Sequence, residues 1–207
     1  MVMFHGGGTS YRGAEPSARL LGERYHVVLV AYDGFNPSEP ETTFVSPMDE
    51  ARRLGDYIVE RYGGKIDILY GISYGCRILM EVWADKRLTI TAAIADGMSL
   101  NDYPNIKSTW GKNLYGRATW QSWKNQDYAL IGKKTDYSLF ARTHMFLWYG
   151  IKGSVDKKLS ANLGKLKAQG YPFEEKIFTD LGHGGLAGEQ PRRFMEEVTL
   201  AYQKATT

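Results

Sequence analysis

The sequence predicts an α/β fold: a sheet of about six mainly parallel strands, helices on both faces, and a short cap inserted late in the chain. Three observations carry this expectation. Short apolar runs alternate with amphipathic segments, the pattern of parallel strands joined by helical crossovers. The run Val27-Val28-Leu29-Val30-Ala31 is apolar at every position, as in a strand covered on both faces. Between the apolar strand Ile66-Asp67-Ile68-Leu69-Tyr70 and a helical segment from Cys76 to Ala84 stands Gly71-Ile72-Ser73-Tyr74-Gly75, a tight strand-to-helix turn. At 207 residues the chain can bury a full core, and one domain spanning 1–207 is expected, with the cap at about 98–143.

The elements follow in order. Met1 to Phe4 reads as a short strand and Glu15 to Tyr25 as a helix with Ala18, Leu20 and Leu21 apolar. Val27 to Ala31 is the second strand, and Asp33-Gly34-Phe35-Asn36-Pro37 is turn chemistry. Ser46-Pro47-Met48-Asp49 opens a helix with a cap residue, proline at the first position and an acid in the first turn. Ala51, Leu54 and Ile58 form its buried stripe, and Gly63-Gly64 end it. After the tight turn come strands at Arg87 to Ala95 and Met145 to Tyr149, where Trp148 and Tyr149 belong to the core. Leu159 to Gln169 is a helix stopped by Gly170, Phe173 to Thr179 the last strand, and Pro191 to Lys204 the closing helix.

Three segments carry candidate chemistry. In G-x-S-x-G the turn is so tight that the serine stands clear of the sheet, and the flanking glycines leave room for the neighbouring strand and helix. An alcohol is a poor nucleophile at neutral pH and needs a base to take its proton. His183, in Leu181-Gly182-His183-Gly184-Gly185 after the last strand, is the best placed of the four histidines. The third segment is His5-Gly6-Gly7-Gly8, directly after the first strand.

With these three segments in this order, the chain resembles the α/β-hydrolase superfamily over nearly its whole length. The resemblance implies that Ser73 is the nucleophile and His183 the general base. It further implies an oxyanion hole formed by backbone N–H groups near Gly7 and at Tyr74, with His5 ordering the loop. Such enzymes need no cofactor and no metal. The two antiparallel strands that usually precede the HG strand are missing, so a reduced α/β-hydrolase fold is expected.

The acid of the triad is where the pattern departs. Three residues past Gly150 the family's usual acid position holds Gly153, which cannot support an imidazolium. Asp156, three residues further, and Asp96, at the end of the strand after the turn, are the alternatives. Asp156 is slightly favoured for its standard strand; a helix cap and a turn residue are the respective non-catalytic readings. The family's cap site coincides with the insertion at about 98–143, which is rich in aromatics, with seven Lys or Arg against three Asp and no Glu. Trp110, Trp120 and Trp123 are candidate walls of a pocket for an apolar or aromatic ester, though packing of the cap on the body would use them equally well.

A net charge of +3 and the absence of a basic run interleaved with aromatics argue against nucleic acid as a partner. No stretch approaches the roughly 18 apolar residues of a membrane helix, and no leader-like segment precedes the first strand. The single cysteine, Cys76, excludes an internal disulfide and a cysteine-based zinc site, and the expected location is cytoplasmic. The expected reaction is hydrolysis of a carboxylic ester through an acyl-enzyme. Thioester, lactone or carbon–carbon bond cleavage and acyl transfer use the same constellation. A rival from another class is a ligand-binding protein with a weakened triad, fed by Gly153. A nucleotide-binding domain is disfavoured because Gly6 to Gly8 lack G-x-G-x-x-G spacing.

Overall fold

Short apolar runs with no neighbouring hairpin turns must find partners through crossovers, and they do. The computed structural model describes residues 1–7, 9–35, 42, 44–100, 135–152 and 159–207. Its strands are β1 (Val2–Phe4), β2 (Val28–Val30), β3 (Lys65–Ile72), β4 (Thr89–Asp96), β5 (His144–Gly150) and β6 (Glu174–Phe178). All pair in parallel, in the order β2-β1-β3-β4-β5-β6. The helices are α1 (Glu15–Leu21), α2 (Pro47–Tyr62), α3 (Gly75–Ala84), α4 (Leu159–Ala168), α5 (Gly185–Glu189) and α6 (Pro191–Thr206). This is a reduced α/β-hydrolase fold, as the sequence predicts.

Each face of the sheet has its own core. Alternation along β3 sends Leu69 to a cluster with α2, α3 and α4, where Ala51, Ile58, Ile78 and Leu163 are buried. Ile68 and Tyr70 point the other way, into a cluster with α1, α5 and α6 that includes Leu21, Leu186 and Phe194. Trp148 and Tyr149 are buried on opposite faces, as expected of core residues. Helix α2 has the predicted ends: Ser46 Oγ accepts the Asp49 N–H at 3.1 Å, and Gly63 caps it with φ 60°.

Two expectations are corrected. The apolar run around Val28–Val30 is only partly buried, although Val28 and Val30 pack on one core and Val27 and Leu29 on the other. Among the described residues the strand order puts β2 at an edge, where only β1 pairs with it; apolar composition predicts a strand but not its place in the sheet. Helix α1 ends at Leu21, four residues early, and gives way to turns at Gly22, a poor helix former. Helix α5 and the 3₁₀ turns at Tyr11–Ala14 and Tyr137–Arg142 have no sequence signal strong enough to announce them.

The order of the strands fixes where a site can form. From β1 the chain steps outward to β2, crosses back to β3, and then runs outward to β6. Its winding reverses between β1 and β3, and in open α/β sheets ligands bind between the loops that leave the carboxyl ends at such a point. Those loops are His5-Gly6-Gly7 and the turn at Ser73. Of the expected cap, Tyr137 donates its hydroxyl to the Leu100 carbonyl at 3.1 Å, and Phe140 is buried, stacked on Trp83. Trp110, Trp120 and Trp123 lie outside the described residues. Among the described residues no helix is long and apolar enough to cross a membrane.

Candidate active site

Ser73 sits between the end of β3 and the start of α3 with φ 50°, the one non-glycine residue with positive φ among the described residues. A left-handed serine costs on the order of 1–3 kcal/mol and persists only if its surroundings impose it. They do so through backbone bonds. The Ser73 N–H donates to the Asp96 carbonyl at 2.8 Å, and the Ser73 carbonyl accepts the Cys76 N–H at 3.1 Å. The buried Cys76 thiol donates to the Gly71 carbonyl at 3.1 Å, and burial pushes its pKa up, so it packs beneath the turn as an inert group.

The glycines flanking the serine are demanded by close approach. A Cβ on Gly71 would lie 2.9 Å from the Gly75 backbone, and one on Gly75 would lie 2.6 Å from the His5 carbonyl and 2.8 Å from that of Phe4. Because these obstacles are backbone, Gly75→Ala should push α3 off β1. The expected loss is about 3 kcal/mol of stability, seen as a fall of about 10 °C in Tm. A Tm unchanged by this substitution would refute the packing described here.

The loop after β1 faces the serine: a Cβ on Gly6 would stand 3.7 Å from Ser73 Cβ. His5 is 3% exposed and its ring stacks on Tyr32, with centroids 3.9 Å apart. Its Nδ1 lies 2.9 Å from the Gly6 carbonyl, which only accepts, so Nδ1 carries the proton. Burial lowers the His5 pKa to about 4, and the ring is neutral at pH 7. Thr9 Oγ1 donates to the same carbonyl at 2.9 Å. In a planar trans peptide the next N–H points opposite to the carbonyl, so these two donors also set the direction of the Gly7 N–H. The Tyr74 N–H belongs to the first turn of α3, next to Ser73. Tyr32 anchors the arrangement by donating its hydroxyl to the His5 carbonyl at 2.9 Å. Thr9 and Tyr32 carry no sequence motif, and only the fold brings them to this loop.

His183 reaches the same end of the sheet from the loop between β6 and α5. A Cβ on Gly184 would meet Ile72 Cγ2 at 2.5 Å, which places the loop over the end of β3. The imidazole lies on Gly97: a Cβ there would be 2.6 Å from Cε1, 2.8 Å from Nδ1 and 3.3 Å from Nε2. Its other side is exposed to solvent. Partial burial holds its pKa below the ordinary value, favouring the neutral form that can accept a proton.

The two candidate acids stand differently. Asp96 ends β4, opposite Ile72 in register, and is 1% exposed. Tyr70 donates its hydroxyl to Asp96 Oδ2 at 2.9 Å. Burial raises the Asp96 pKa to about 7, against the opposing pull of that hydrogen bond. Asp156 lies outside the described residues. The chain leading to it departs β5 beside the histidine loop, where the Lys152 N–H donates to the Leu181 carbonyl at 2.7 Å. Ser73, the Gly6-Gly7 loop, His183 and Asp96 therefore share one end of the sheet.

Comparison with known proteins gives a consistent picture. The family model described as "Alpha/beta hydrolase family" matches residues 1–197. An esterase from Thermogutta terrifontis has a similar structure, with a TM-score of 0.72 and 14% identity over 100% of this chain and 90% of that one. MenH from S. aureus gives 0.71 and 15%, over 100% and 94%. An alpha/beta hydrolase family protein from Desulfitobacterium hafniense gives 0.70 and 16%, over 96% and 94%. Likeness at this identity speaks to the fold. No curated protein matches the sequence.

Proposed function

This chain belongs to the alpha/beta hydrolase family, and from that premise we propose that it is a serine hydrolase cleaving a carboxylic ester through an acyl-enzyme. The observation that carries the reading is the serine held at φ 50° after β3, with the imidazole of His183 resting on Gly97 at the same end of the sheet. In this reading Ser73 Oγ attacks the ester carbonyl while His183 takes its proton. The protonated imidazole then gives that proton to the leaving alcohol, and water repeats the sequence to release the acid. The N–H groups of Gly7 and Tyr74 receive the developing oxyanion, each contributing about 3–4 kcal/mol to the transition state. Asp156 or Asp96 orients the imidazole and stabilises its charged form. The substrate is a small ester with an apolar or aromatic group, matched in chemistry by the aromatic-rich stretch that holds Trp110, Trp120 and Trp123. Thioesters and lactones fit the same chemistry. No step calls for a metal or a cofactor.

Covalent labelling with a fluorophosphonate, mapped by peptide mass, tests this reading. Stoichiometric modification of Ser73 is expected. A well-folded protein that takes no label would refute the reading and favour a ligand-binding role. Asp96→Asn and Asp156→Asn then separate the acids: the true acid should cost about 10⁴-fold in kcat, because its loss leaves the wrong imidazole tautomer. Small, equal losses in both would mean that Ser73 and His183 work as a dyad.

A further inference from the structure

A carboxylate is costly to bury without a cation beside it, yet Asp96 is 1% exposed and the side chain that meets it is a phenol. Tyr70 is itself fully buried, wedged against Phe194 at 4.7 Å between ring centroids and against Trp148 at 6.4 Å. These rings leave its hydroxyl one place to go, and it donates to Asp96 Oδ2. Asp96 in turn joins the two reacting groups. Its carbonyl accepts the Ser73 N–H, and the next residue, Gly97, is the surface on which the His183 ring lies. Of the two ring nitrogens Nδ1 stands nearer than Nε2 to the place a Gly97 Cβ would take, one residue on from Asp96.

We propose that Tyr70 is a positioning residue: its hydroxyl anchors the Asp96 carboxylate that serves the His183 imidazole. This rests on the reading of Ser73 and His183 given above and commits to Asp96 as the acid. The titratable groups set against Asp96 are Tyr70 from β3, which donates to its carboxylate, and Cys76 from α3, whose thiol lies 3.6 Å from its carbonyl. Among the described residues no lysine, arginine or second carboxylate faces it. A single neutral donor therefore holds the charged form against burial. The sign follows. Below about pH 7 Asp96 takes a proton, the imidazolium loses its support, and nucleophile activation falls. Removing the hydroxyl raises the proton affinity of Asp96 further, so the loss must begin at a higher pH.

The test is the second-order rate of fluorophosphonate labelling at Ser73 as a function of pH, in wild type, Tyr70→Phe, Asp96→Asn and the double variant. Tyr70→Phe keeps the ring and its packing, and circular dichroism checks that the fold persists. The expected result is an acid limb displaced upward by about one unit, with the alkaline plateau within about threefold of wild type. In the Asp96→Asn background the Tyr70→Phe change should have no effect on the limb. An unmoved limb, or a plateau that drops uniformly, would make Tyr70 a packing residue and overturn the proposal. So would an Asp96→Asn protein that labels like wild type. Wild type that does not label at all would instead overturn the reading of Ser73 and His183, which keeps the two failures apart.

Discussion

Ser73→Ala is expected to lower ester turnover by a factor on the order of 10⁴ to 10⁶ while leaving the fold and its Tm essentially unchanged. In the proposed mechanism the loss is large because the nucleophile, its base and the oxyanion donors act as one unit. Without the hydroxyl there is no acyl-enzyme, and only binding and the backbone donors remain. Stability should hold because Ser73 makes its interactions through the backbone: its N–H to Asp96 and its carbonyl to Cys76, both of which alanine retains. Alanine also tolerates φ 50° about as poorly as serine does, so the strain of the turn is unchanged. Steady-state hydrolysis of a p-nitrophenyl ester beside a thermal melt measures both quantities. Retained turnover in the variant would remove Ser73 from the reaction.

Gly97→Ala should have the next largest effect, and it probes geometry in place of chemistry. Gly97 has φ 68°, a conformation that costs alanine about 1–2 kcal/mol. Its new methyl would stand 2.6 Å from His183 Cε1 and 2.8 Å from Nδ1. The obstacle is a side chain with solvent on its far side, so the imidazole can swing away and the fold survives, with Tm lower by about 5 °C. In the proposed mechanism this takes the base away from the serine, and a misplacement of about 1 Å costs about 10²-fold in kcat. Fluorophosphonate labelling should slow in parallel. A variant that melts early but turns over at the wild-type rate would show that His183 does not work from its place on Gly97.

The candidate site was legible in part. G-x-S-x-G announced a strained serine because the glycines on either side are needed where β3, α3 and β1 crowd together, and that crowding is local. His183 was legible from its glycine-flanked loop and its place after the last strand. Asp96 was legible only as one of two carboxylates at strand ends. Its burial and its bond to Tyr70 come from the pairing of β3 with β4, and the seat of His183 on the adjoining Gly97 comes from the return of the chain after β6. Tyr70 read as one more residue of an apolar strand, and Thr9 and Tyr32 drew no reading, because a hydroxyl shows no role until its partner is known.

The sequence by itself determined the six strands and every described α-helix but α5. Period-two and all-apolar runs set the strands, Ser46 with Pro47 set the start of α2, and Gly63 set its end, since propensity and capping act over a few residues. Tertiary structure decided the order of the strands. It put the apolar run at Val28–Val30 on an edge, and it reversed the winding between β1 and β3 so that the Gly6-Gly7 loop faces Ser73. Strand order depends on which buried faces fit together across the whole sheet, and no window of neighbouring residues contains that energy.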